Sequence, residues 1–172
     1  MKNTELNAIL AITEALMGYR LDPQYHATGH YAHSTRRVEL DFGPVEVGPI
    51  IGQAGSMKLA IQTLLACPFG GDACQIIVRS TRESRREEQA PPAMAEPRIR
   101  KVLDALKDHY PPGRFHFKLE HSTSALVILI ESSAPFVDDI RGAISKTLRS
   151  IGRRHGVVAV VSIEKTENAC HA

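Results

Sequence analysis

Apolar residues near the amino terminus recur at intervals of three and four, which is the spacing of one face of a helix. Thr4 has the side chain of an N-cap, and Gly18 ends the pattern. The pattern therefore predicts an amphipathic helix between these two residues. Its apolar face would be formed by Leu6, Ile9, Leu10, Leu16 and Met17.

The next segment predicts two strands, at Gln24 to Tyr31 and at Arg36 to Phe42. In the second of these, apolar and charged residues alternate, as expected for a strand with one buried face. A glycine-punctuated stretch, residues 48–55, then leads into a second helix with Met57, Ala60, Ile61, Leu64 and Leu65 on one side. A short strand over Gln75 to Arg79 closes this half of the chain.

The second half repeats the same order of elements. A helix is predicted from Pro97, strands at Arg114 to Glu120 and Ala125 to Glu131, a long helical region at Pro135 to His155, and a last strand at Val157 to Ile163. Corresponding elements lie about ninety residues apart, which indicates an internal duplication. The predicted fold class is α+β, with two tandem modules that each contain a three-stranded sheet.

A polar, charge-mixed stretch from Ser80 to Pro97 separates the two halves and contains Pro91, Pro92 and Pro97. This composition is typical of a solvated linker. We therefore expect a first module over residues 1–80, a linker over 81–96, a second module over 97–166 and a tail over 167–172.

Charge, apolar runs and cysteines indicate which partners and which compartment to expect. The chain of 172 residues carries a net charge of +2, so any nucleic-acid binding needs a local cluster of cations. The apolar run from Ala125 to Ile130 is too short to span a bilayer, and the amino terminus does not have the layout of a signal peptide. The three cysteines have no C-x-x-C spacing. A cytoplasmic protein without a membrane partner is expected.

The most informative stretch is residues 50–61, which have the sequence IIGQAGSMKLAI. A G-x-x-G turn between two helices lets the backbone approach a nucleic-acid strand, and amide groups at the start of the second helix attract phosphate oxygens. The turn Gly52-Gln53-Ala54-Gly55 is therefore a candidate phosphate cradle. The same glycines would also suit an ordinary helix-helix turn with no ligand, and that alternative stays open.

This stretch resembles the KH domain of type II, and in particular the small bacterial single-KH RNA-binding proteins. The resemblance covers roughly Thr4 to Ser80 and rests on Pro44, Gly48, Ile50, Ile51, Gly52, Gly55, Ala60, Ile61, Leu64 and Leu65, together with the order of helices and strands. It implies a non-catalytic protein that binds single-stranded RNA. The contacts that it implies are Ile50, Ile51, Gly52, Gln53, Ala54, Gly55, Ser56 and Lys58.

The turn departs from the family pattern in its charge. The family usually has lysine or arginine between the glycines, whereas this chain has Gln53 and Ala54, and Lys58 is the cation that remains nearby. Phosphate neutralisation dominates most nucleic-acid affinity, so binding would have to rely on charges elsewhere. Arg36 and Arg37 are the nearest candidates, and a solvated strand end explains them equally well.

In the second half, the matching loop is expected at about Asp139 to Gly142, which keeps one glycine and places an acidic group where phosphate would lie. A degenerate KH-like module without a cradle is implied, serving stability, protein contact or extra RNA surface. Lys146, Arg149 and Arg153 follow a helical spacing and could form a basic stripe, although plain solvent exposure is the commoner role of such a face.

The sequence gives little support for a metal site, a nucleotide-binding loop or a catalytic site. His26, His30 and His33 have no partner at zinc spacing, the glycine stretch is not a Walker A loop, and no nucleophile can be paired with a base, so no metal, cofactor or enzymatic activity is predicted. Two other binding functions remain open. One is a KH-like protein-interaction or assembly module that associates through its second half, and the other is a single-stranded DNA binder.

Overall fold

The computed structural model describes residues 3–17, 27–32, 35–41, 48–66, 74–79, 95–133 and 136–166. The first half of the chain contains a long helix, two strands, a short helix with a 3₁₀ turn, a further helix and a third strand. Their bounds are α1 Asn3–Met17, β1 Ala27–Ala32, β2 Thr35–Asp41, α2 Gly48–Ile51, the 3₁₀ turn Gln53–Gly55, α3 Ser56–Ala66 and β3 Cys74–Arg79.

The second half has the same order, with one continuous helix where the first half has α2, the turn and α3. Its elements are α4 Ala95–His109, β4 Phe115–His121, β5 Ala125–Ser133, α5 Phe136–Arg154 and β6 Val158–Thr166. Each half contributes one three-stranded sheet, in the orders β1-β2-β3 and β4-β5-β6. In both sheets the first pair of strands is antiparallel and the second pair is parallel. The α+β class is confirmed.

Most predicted elements appear within a few residues of their expected bounds, but two differences are informative. Helix α4 begins at Ala95, two residues before Pro97, because proline is tolerated in the first turn of a helix. The loop expected at residues 139–142 is wrong, since these residues lie inside α5. Ile140 and Ile144 are both fully buried one turn apart, so the helical period continues across Gly142.

The two halves bury their apolar helix faces in one common core. The cluster joins residues of α1 and α3 to residues of α4, α5 and the second sheet, such as Ile12, Ile61, Leu103, Ile128 and Leu148, all of which are fully buried. Helix α1 packs against α4, and α3 packs against α5. The predicted module boundaries stay a prediction, and most of the linker expected at 81–96 lies outside the described residues.

Hydrogen bonds reinforce the packing between the halves. The Tyr110 hydroxyl donates to the Leu64 carbonyl at 2.9 Å, and Nε2 of His155 donates to the Ala15 carbonyl at 3.0 Å. Burial lowers the pKa of His155 below its ordinary value, so the ring is neutral at neutral pH and its contact with α1 is an uncharged one. Among the described residues, no helix combines the length and apolar composition needed to cross a bilayer.

Candidate nucleic-acid interface

The G-x-x-G turn joins α2 to α3 through a backbone that L-residues rarely adopt. Gly52 has φ +70° and ψ 175°, Ala54 has φ 52° and ψ 31°, and Gly55 has φ +77°. The combination at Gly52 belongs to a region that is essentially restricted to glycine. Three of the four residues of the turn therefore have a positive φ, the conformation for which glycine is the favoured residue.

The space around the two glycines differs sharply. A Cβ atom on Gly52 would lie 2.6 Å from Cβ of Met57 and 2.7 Å from its backbone nitrogen, whereas a Cβ on Gly55 would meet nothing within 4 Å. Gly52 thus allows the turn to pack directly onto the first turn of α3. Gly55 leaves open space, into which another molecule can approach the backbone.

Exposure separates the predicted contact residues into two groups. Gln53 and Ala54 are exposed at the tip of the turn, and Gly52, Gly55, Ser56 and Lys58 are partly exposed. Ile50 is fully buried in the core, so it cannot touch a ligand directly, while the side chain of Ile51 is 36% exposed. Leu59, on the other side of the turn in the sequence, is 62% exposed. In the sequence, the turn therefore lies between two apolar residues whose side chains are accessible to a ligand.

Part of the backbone hydrogen-bonding capacity of the turn is already used. The Gly55 amide donates to the Gly52 carbonyl at 3.2 Å, and the Ser56 amide donates to the Gln53 carbonyl. These are two of the groups that the motif would offer to phosphate. A strand bound here would consequently depend on cationic side chains beyond the turn.

A cleft of about 400 Å³ opens beside the turn. The first half lines it with residues of α1, α2, the turn and the start of α3, and the second half lines it with residues of α5. The lining residues are Leu16, Pro49, Gly52, Gln53, Ser56, Met57, Lys146, Ser150, Arg153 and Arg154. Of these described residues, three are cationic and none is acidic.

The structure brings together some predicted site residues and leaves others apart. Gly52, Gln53 and Ser56 share the cleft with Lys146 and Arg153 of the basic stripe. Lys58 lies in the first turn of α3 and is not among the residues that line the cleft.

The remaining cations predicted for the site lie on a strand. Arg36 and Arg37 fall in β2, the middle strand of its sheet, where they pair with Tyr31 and His30 of β1. Their side chains lie outside what the structure describes, so a role for them in binding stays a prediction.

A second cleft, of about 600 Å³, lies at the end of the second sheet near the start of α4. The carboxylate of Glu96 at its edge accepts hydrogen bonds from Arg100 at 3.2 Å and from His121 at 2.5 Å. The hydrogen bond from Arg100 has the larger effect on the pKa of the Glu96 carboxyl, and together with that from His121 it lowers this pKa below its ordinary value. Among the described residues, no group of three or more His, Cys, Asp or Glu is placed to hold a metal ion.

The sequence predicts the turn but not the cleft. Helical spacing identifies Lys146 and Arg153 as neighbours on one face, whereas their position beside the same cleft as the turn depends on how α3 packs against α5. Arg154 and Ser150 were missed for the same reason. Neither the protein-family models nor the curated proteins with which the chain was compared give a match.

Proposed function

We propose that this chain is a non-catalytic protein that binds single-stranded RNA through the turn Gly52 to Gly55, on a pair of KH-like modules. The observation that carries this proposal is the turn itself. Gln53 and Ala54 are held exposed between two glycines of positive φ, at the start of α3. Such a turn presents backbone rather than side chains to an incoming strand.

The apolar surroundings support single-stranded rather than duplex nucleic acid. Ile51 and Leu59 are large and exposed on either side of the turn, where they can contact unstacked bases. In a regular duplex the faces of the bases are stacked, so this kind of contact is available mainly in single strands. The cations in the neighbouring cleft suit a phosphate backbone.

The shared topology of the two halves supports the KH-like proposal. Both halves run helix, strand, strand, helical region, strand, and in both the second strand is central, antiparallel to the first and parallel to the third. The order matches that of the type II KH domain which the sequence of the first half resembles. The continuous α5 supports a degenerate second module without a cradle.

The test is a charge change at the tip of the turn that keeps both glycines. Gln53→Asp with Ala54→Asp places two negative charges beside the proposed phosphate, and we expect RNA affinity to fall about tenfold or more. Aspartate and asparagine are tolerated at the positive φ of Ala54, so the fold should be retained. Binding is measured by fluorescence anisotropy of a labelled single-stranded RNA at two salt concentrations.

The matched control is Gln53→Asn with Ala54→Asn, which has nearly the same shape without the charge. Its affinity should stay close to that of the unmodified chain. Equal binding by the aspartate and asparagine variants would show that no phosphate lies at the turn. A single-stranded DNA of matched sequence that binds more tightly than the RNA would make DNA the ligand, and equal affinities would show that the 2′-hydroxyl is not recognised.

A second candidate function, a protein-assembly module, is favoured by one observation on the second sheet. Strand β6 is at the edge of this sheet, and its Val158 and Val160 are 63% and 46% exposed. An exposed edge with apolar side chains can pair with another chain. Size-exclusion chromatography with light scattering separates the two functions: a monomer that forms a complex only with RNA supports RNA binding, and a stable oligomer without RNA supports assembly.

A further inference from the structure

The cleft beside the turn joins residues from the two halves, and its charge comes from only one of them. The first half contributes Gly52, Gln53 and Ser56, which are neutral. The second half contributes Lys146, Arg153 and Arg154, all from α5. The turn and the cations therefore line the same cleft but come from different halves of the chain.

Two of these cations are available to a ligand. Lys146 and Arg153 are both exposed, and neither forms an ion pair with a described residue. Arg154 is held in place, because its guanidinium donates to the Met17 carbonyl at the end of α1 at 3.1 Å. That hydrogen bond uses one of five guanidinium donors, so Arg154 anchors the wall and keeps its charge at the cleft.

The spacing of the cations suits an extended anion. Lys146 and Arg153 lie seven residues apart on α5, a rise of about 10 Å along the helix axis, with Ser150 between them on the same face. A polyanionic strand that runs along α5 can reach both side chains in succession. The hydroxyl of Ser150 offers a hydrogen bond midway.

We propose that the cleft between the turn and α5 is a composite phosphate-backbone site, in which the first half provides the cradle and the second half provides the cations. This inference rests on the proposed RNA-binding function and deepens it. It assigns the phosphate contacts to Lys146 and Arg153 and gives the second module a direct role in binding. The loss of lysine and arginine from the turn is thereby compensated from the other half of the chain.

The test is Lys146→Gln with Arg153→Gln, assayed with the labelled RNA across a range of salt concentrations. We expect affinity at low salt to fall about tenfold or more. Each lost phosphate contact on a single strand lowers the slope of log affinity against log salt by about 0.7, so the double variant should lose about 1.4. A change in slope reports phosphate contacts directly, which a loss of stability would not produce.

The charge-matched control is Lys107→Gln with Lys118→Gln. Both lysines are exposed, neither lines the cleft, and Lys118 points away from the core that Phe117 and Leu119 contact. This control removes the same net charge and should leave the slope unchanged. Thermal unfolding of both double variants verifies that they are folded.

The outcomes distinguish this inference from the proposed function. Equal slopes for the two glutamine variants, with binding still lost in the aspartate variant of the turn, would overturn the composite site and leave RNA binding at the turn intact. A reduced slope with no effect of the aspartate variant would place the strand on α5 alone and overturn both the cradle and the composite cleft. An unmodified chain that binds no RNA at low salt would overturn both proposals.

Discussion

Replacing Tyr110 by alanine is expected to lower the free energy of unfolding by about 3–5 kcal/mol, the usual range for removing a buried aromatic side chain. Tyr110 is 2% exposed directly after α4, and its ring packs edge-to-face with that of Phe115 at a centroid distance of 5.3 Å. Its hydroxyl donates to the Leu64 carbonyl in the first half. The substitution therefore removes packing within the second half and a hydrogen bond between the halves.

Because one core joins both halves, the substitution should destabilise both of them. Amide hydrogen exchange followed by mass spectrometry should show a comparable loss of protection in α3 and in α4. Tyr110→Phe is the matched control, since it keeps the ring and removes only the hydroxyl, and it should cost about 1 kcal/mol. Protection lost in α4 but retained in α3 would mean that the halves unfold independently.

The sequence predicts the secondary structure well in segments whose apolar residues follow a single clear period, either helical or strand-like. In α4, apolar residues at helical spacing, such as Ile99, Val102 and Leu106, are all fully buried, as their pattern predicts. The prediction of a loop at 139–142 is wrong because a single glycine disfavours a helix only weakly, whereas the helical spacing of the apolar residues around it favours one strongly. Gly142 is helical, and the buried Ile140 and Ile144 on either side decide the structure.

The sequence predicts one part of the proposed site, the turn, but not the other part, the cleft. The positive-φ backbone of Gly52 and Gly55 follows from the motif, since glycine is the residue that such a turn requires. The cleft does not, because residues such as Gln53 and Arg153 are one hundred positions apart in the chain and meet only through the packing of α3 on α5. No local pattern contains that information.

The proposed site gives each half of the chain a different part in binding. In the second half, one continuous helix of 19 residues stands where the first half has α2, the turn and α3. Lys146, Ser150 and Arg153 lie on that helix beside the cleft. The first half would then need fewer cations at its turn, in keeping with the neutral Gln53 and Ala54.

Replacing Gly52 by alanine is expected to lower the free energy of unfolding by about 2–5 kcal/mol, from backbone strain and overpacking together. The strain arises because φ +70° with ψ 175° is nearly inaccessible to alanine. The overpacking arises because the new Cβ would lie 2.6 Å from Cβ of Met57 and 2.7 Å from its backbone nitrogen. Met57 is 4% exposed at the start of α3, so relief requires the helix itself to move.

Two neighbouring substitutions separate these causes, with all three variants compared by urea denaturation. Gly55→Ala has the strain of a positive φ but open space around the new Cβ, so it should cost less than Gly52→Ala. Ala54→Gly relieves strain at φ 52° and should raise stability by up to about 1 kcal/mol, partly offset by the greater entropy of the unfolded chain. Equal costs for the two alanine variants would mean that contact with Met57 does not restrict the turn. In the expected order, the packing of Gly52 on α3 fixes the turn, and Gly55 leaves its outer side open to a ligand.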